Sequence, residues 1–204
     1  MSETNKPAKA RLPRLRFQRG VAAVEFALLA IIFFTIVFGM LELARAMFVF
    51  NTVQEVTRRA AAAASVTNHR DAAAMARIRQ DAIFRNSPGE LILSTPVTDS
   101  NVRIDYLALT RQGDGSLSMT RIDDGALPTC ARNNRTICMS NPNATNCIRF
   151  VRARICADDG SAQCTAVDYK TIFPLIALPF KVPRATTISV VESFGGMPEG
   201  TPCL

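Results

Sequence analysis

The 204 residues leave room for one membrane anchor and one modest domain. The formal charge of +7 raises nucleic-acid binding, but it is not spread along the chain. Residues 1–19 hold Lys6, Lys9, Arg11, Arg14, Arg16 and Arg19 against Glu3 alone, which leaves 18 basic and 16 acidic groups over residues 20–204. An excess confined to a short tail ahead of an apolar run is a membrane-topology signal, so no nucleic-acid partner is expected.

The basic leader, residues 1–20, carries Pro7 and Pro13 and nothing that could bury a core. The positive-inside rule places it in the cytoplasm, where an anionic leaflet also attracts it. From Val21 to Leu41 the only ionisable residue is Glu25. At 1.5 Å per residue this run is about 32 Å long, enough to cross the lipid bilayer as one helix. The alanines at 60–64 could imitate a signal-peptide cleavage site, but they lie well past the span and beyond Glu42 and Arg45. Ordinary signal cleavage there is not expected.

No Pro or Gly interrupts residues 42–66, and alanine is abundant, so the helix should run on to Val66. Val49, Val53, Val56, Ala60, Ala63 and Thr67 recur at steps of three and four. That stripe suits packing on other helices; a connecting stalk, or a helix lying on its own domain, is the plainer alternative. A second amphipathic helix is expected over 68–85, capped by Asp71, with Ala74, Ile78, Ala82 and Phe84 or Arg85 on one face. Strands follow: a short apolar one over 91–95, and a hairpin over 102–122 with Val102, Ile104 and Tyr106 alternating and a turn at Gly113-Asp114-Gly115. Further strands are expected over 148–155 and 186–194, while Pro174 and Pro179 break the run between.

Cys130, Cys138, Cys147, Cys156, Cys164 and Cys203 all follow the span. With the leader inside they lie outside, where disulfides persist. Six cysteines allow 15 complete pairings, and spacing does not choose among them. No two stand at metal-ligand spacing and His69 is distant, so neither a metal nor a cofactor is expected. The fold class is therefore α+β. A long transmembrane helix (21–66) continues past the membrane, and residues 67–204 form a small exported domain stapled by disulfides, with a cysteine-rich region at 130–164.

Catalytic patterns do not emerge. There is no phosphate loop, nucleophile elbow or C-x-x-C, and an enzyme is not expected. Asp123-Asp124 and Asp158-Asp159 precede glycines and read as turns, and His69 reads as a solvated residue at a helix boundary. Asn134-Arg135-Thr136 and Asn143-Ala144-Thr145 match the glycosylation acceptor pattern.

Glu25 is the exception within the span. An ionised group at the bilayer centre costs about 2.5–3.5 kcal/mol, less near the edge. It is either a snorkelling residue or one that awaits a cation. A cut after Gly20 would create an α-amine on Val21, four residues away. Gly20 followed by Val21-Ala22-Ala23-Val24-Glu25-Phe26 resembles the processing site of type IV prepilins. With Leu41-Glu42-Leu43-Ala44-Arg45 and Asn51 through Ala64, the stretch is similar to TadE-like pseudopilins of tight-adherence (Flp-type) pilus systems. The pattern departs from the family at Ala30 to Phe34, where many members carry a proline, and in its cysteine-rich insert.

The resemblance implies that Gly20 and Val21 flank the bond cut by a prepilin peptidase. It makes Glu25, with Phe26 beside it, the assembly residue, and Glu42 with Arg45 a polar pair at the span's outer edge. It implies a minor pilin in the bacterial inner membrane, leader cytoplasmic and domain periplasmic, reaching a surface pilus with other pilins, pseudopilins and the inner-membrane assembly platform as partners. The alternative is a permanently anchored envelope scaffold or binding module.

Overall fold

The computed structural model describes residues 19–160, 163–173, 179–191 and 194. The leader through residue 18, most of the proline-broken run at 174–178, the end of the expected last strand at 192–193, and Cys203 lie outside them. Helix α1 runs unbroken over Arg19–Val66, 48 residues, or about 72 Å. Most of its first half is bare: Phe26, Leu29, Ile32 and Phe33 are exposed, and no residue in its most apolar 18-residue window, mean hydropathy 2.7, is buried. Apolar surface of this extent needs a non-aqueous neighbour, and the helix is long and apolar enough to cross a membrane.

The second half of α1 is the spine of an α+β domain. Helix α2 (Ala72–Ala82) and a four-stranded antiparallel sheet pack on it. The sheet order is β4 (Leu117–Arg121), β3 (Val102–Arg111), β5 (Phe150–Ile155), β6 (Thr186–Val190). Earlier in the chain β1 (Glu90–Leu91) pairs with β2 (Ser94–Thr98) in a separate ribbon. The α1 stripe of Ala46, Val49, Val53, Val56, Ala60, Ala61 and Ala64 is buried in one cluster with Tyr106, Val151, Ala153 and Ile155. Period 3.6 on the helix meets period 2 on the strands. Each fully buried valine contributes about 1.5–3 kcal/mol. Thr57 and Thr187 hydroxyls meet at 2.9 Å across the same seam. The stripe thus lies on its own domain, against α2 and the sheet. It also drifts from Ala63 to Ala61 and Ala64, because a straight helix departs from a heptad repeat by about 20° per heptad.

Asp71 caps α2 as expected, accepting the Ala74 N–H at 2.9 Å. The helix ends earlier than residue 85. Ile83 is fully buried, and Phe84 takes a left-handed backbone (φ 62°) that turns its ring outward, under the Arg59 guanidinium at 4.2 Å. The apolar run expected as one strand at 91–95 is instead folded into a turn. Leu93 has φ 59°, and Ile92 and Leu93 stand exposed at its tip. The hairpin of β3 and β4 falls where the alternation puts it; the strand expected over 148–155 is the shorter β5, and the one expected over 186–194 ends at Val190 as β6.

His69 is not solvated. It is buried between the Tyr106 and Phe194 rings, with Nε2 2.8 Å from the Pro128 carbonyl oxygen. That contact makes Nε2 the donor, and Nδ1 is buried with no partner among the described residues. Burial holds the imidazole below its usual pKa, and neighbouring Arg70 adds to the effect against the opposing Pro128 bond. A folded pKa below the unfolded value gives stability that is complete above about pH 6.5 and is lost as pH falls through the folded pKa. The melting temperature should therefore drop between pH 7 and pH 5, and His69→Gln should flatten that slope in a pH series of thermal melts.

On the outer face of the sheet Asp105 is buried beneath three cations. Arg121, Arg152 and Arg154 approach its carboxylate at 3.2, 3.1 and 2.6 Å. Beyond the hairpin the chain is not all strand and loop: helix α3 (Ala131–Ser140) fills the start of the cysteine-rich region. Cys138 bonds Cys147, and Cys156 bonds Cys164. Cys130 opens α3, its sulfur accepting the Asn133 N–H, and no described cysteine is free. Asn134, within one glycosylation pattern, is buried in α3. Its amide donates to the Ile148 carbonyl and accepts the Ile148 N–H, so it is committed to joining α3 to the entry of β5. Asn143 is exposed.

Candidate functional site

The candidate residues fall at the two ends of the apolar half of α1. At the start, Gly20 and Val21 lie in the first helical turn, and Val21, Glu25 and Phe26 are all exposed. A Cβ built on Gly20 meets nothing within 4 Å. Among the described residues, nothing packs against the helix flank at Gly20. Glu25 lies just over one turn along, within reach of an amine at residue 21. Among the described residues no ion pair reaches it.

At the far end, Glu42 and Arg45 share a helix face and pair at 2.7 Å. The helix spacing accounts for that contact, but the pair does more than anchor an interface. Glu42 is fully buried. Its Oε1 also accepts the Tyr169 hydroxyl at 2.7 Å, and its Oε2 accepts the Ile172 N–H at 3.2 Å. Arg45 donates from Nε to the Leu93 carbonyl at 2.7 Å, and from Nη1 to the Tyr169 hydroxyl at 3.0 Å and the Lys170 carbonyl at 2.8 Å. Its guanidinium lies 5.0 Å from the centre of the Tyr169 ring. Burial and the bond to Glu42 push the Tyr169 phenol up to about 12, so it remains a donor at any ordinary pH. One ion pair on the helix thus gathers the β1–β2 turn and the 169–172 segment.

Sequence reasoning finds the pair but not its partners. Tyr169 and Ile172 lie more than 120 residues downstream, and no local pattern links them to residue 42. The only local signal is the expense of a carboxylate and a guanidinium at the end of an apolar run, which asks for partners without naming them.

Residues 20–62 match the TadE-like protein family. The TadE-like segment lies within α1 and contains Gly20, Val21, Glu25, Phe26, Glu42 and Arg45. Most of the α+β domain, from Thr67 on, lies beyond it. No curated protein and no solved structure matches the chain. The TadE-like match and the bare apolar helix are compatible with a single-pass membrane protein of pilin-like role, associated with a Tad pilus.

Proposed function

We propose that the protein is a minor pilin or pseudopilin of a tight-adherence pilus, cut after Gly20 by a prepilin peptidase and then assembled through its apolar helix. The observation that carries this reading is the TadE-like match, which begins at Gly20 and spans the whole apolar half of α1. The leader is cytoplasmic and the domain periplasmic before assembly, in keeping with the basic tail and the disulfides beyond the span. Cleavage places the Val21 α-amine near Glu25. Either within one chain or between staggered neighbours, the two charges pair in a medium where Coulomb attraction is strong. Other pilins, pseudopilins and the assembly platform are the partners, and the role is structural rather than catalytic.

A permanently anchored scaffold is the second reading. It is favoured by the burial of the α1 stripe under the protein's own domain, which removes that face from packing on the helices of other chains. Gly20→Leu separates the two. Nothing in the fold surrounds Gly20, so the substitution leaves folding intact and tests the peptidase alone. In cells with the cognate peptidase, immunoblots should show the wild-type chain shortened by its 20-residue leader and the variant at full length. Equal, full-length bands for both favour the scaffold.

A further inference from the structure

We propose that the membrane-facing loops of the domain, the Ile92–Leu93 turn and the Ile172–Phe173 segment, are seated in the lipid leaflet on the domain's side of the bilayer. The domain then rides on the membrane instead of standing clear of it on a stalk. The inference rests on the reading of Val21–Leu41 as a membrane span.

The depth of these loops follows from their bonds to α1. Side chains on a helix lean toward its N-terminus, so the Arg45 guanidinium lies about one turn nearer the bilayer than its own Cα. It meets Glu42 there, one residue past the span. The Leu93 and Lys170 carbonyls, both held by Arg45, are therefore at the level of the span's end. The Ile172 N–H, held by Glu42, is at the same level. Phe173 goes deeper, since its ring stacks on Phe38 with centroids 4.6 Å apart. Phe38 lies three residues inside the span, or about 4–5 Å below Leu41.

What these loops present is apolar. Ile92, Leu93 and Ile172 are each more than half exposed. The left-handed backbone at Leu93 keeps that turn's two apolar side chains outward, an unfavourable arrangement in water. The flanking polar groups suit an interface: Lys170 is exposed beside Ile172, and a lysine at the headgroup level can reach water along its stem. A lipid leaflet is the one occupant continuous with the apolar surface of the span itself, and the loops would enter it by about 5–10 Å, the depth of interfacial apolar faces.

The chain contains no tryptophan, so a single introduced one reports its own site. The full chain would be reconstituted in vesicles whose lipids carry bromines either near the headgroup or near the methyl end. Four variants are compared: Ile92→Trp, Ile172→Trp, Phe34→Trp in the span, and Ile188→Trp on the outer face of the sheet. Ile188 follows Thr187, which meets Thr57, about 22 Å along the axis from Glu42. The proposal expects blue-shifted emission at 92 and 172, quenched most by the headgroup-side bromines, with Phe34→Trp quenched by the deeper ones and Ile188→Trp by neither. Unquenched emission at 92 and 172 with Phe34→Trp still quenched overturns the seat and leaves the span standing. Blue-shifted but unquenched emission at 92 and 172 means a protein neighbour covers the loops and also overturns it. Loss of quenching at Phe34→Trp refutes the span and the seat together.

Discussion

Replacing Glu42 with alanine should unfasten the domain from the membrane end of α1. The substitution leaves Arg45 without its carboxylate and removes the acceptor for Tyr169 and for the Ile172 N–H. Breaking a buried pair by deleting one partner costs about 3–5 kcal/mol. For a chain of this size each kcal/mol is worth about 2–4 °C, so melting of the detergent-solubilised protein should fall by on the order of 10 °C. The segment around Lys170 should become sensitive to protease, because its main-chain bonds to α1 end on Glu42 and Arg45. Tyr169→Phe, which removes one donor and spares the ion pair, should cost only about 1 kcal/mol. A Glu42→Ala melt within a degree of wild type would mean that the apolar stripe alone holds the domain.

Glu25→Gln should separate insertion from assembly. An amide is cheaper than a carboxylate in lipid, so insertion should be unharmed or eased. Phe26 and the bond after Gly20 are untouched, and the leader should still be removed. Assembly should fail, because the new amine at Val21 is then left in an apolar setting without its counter-charge, at a cost of several kcal/mol, order of magnitude. Cell fractionation and surface shearing should find a processed protein retained in the membrane and pili strongly reduced. Normal pili with a normal content of the variant would make Glu25 a snorkelling side chain with no part in assembly.

The elements with strong local signals were legible in the sequence. The uninterrupted helix to Val66, the Asp71 cap, the β3–β4 hairpin and the strand at 150–155 each follow from periodicity, capping or turn chemistry. What was not legible depends on partners far away in the chain. The stripe from Val49 to Ala64 reads the same whether it faces another helix or its own sheet, because periodicity reports that a face is buried and not what buries it. Asp105 looks like the polar half of an alternating strand until the register sets Arg152 opposite it and Arg154 beside it. His69 is polar by residue type, yet the Tyr106 and Phe194 rings close over it from 37 and 125 residues away. Helix α3 was hidden because Asn, Thr and Cys are poor helix formers, and its place rests on Asn134 and the Cys138–Cys147 bond instead. At the candidate site the same division holds. Gly20, Glu25, Glu42 and Arg45 stand out against an apolar run, whereas Tyr169 and Ile172 become visible only when the domain folds back onto the helix.

The central claim is that the chain matures by losing its leader at Gly20. Mass determination and N-terminal sequencing of the protein, purified from piliated cells that carry the cognate peptidase, test it most directly. The account predicts a mature chain that begins at Val21 and lacks 20 residues. Recovery of a chain that still carries residues 1–20 from those cells would contradict it.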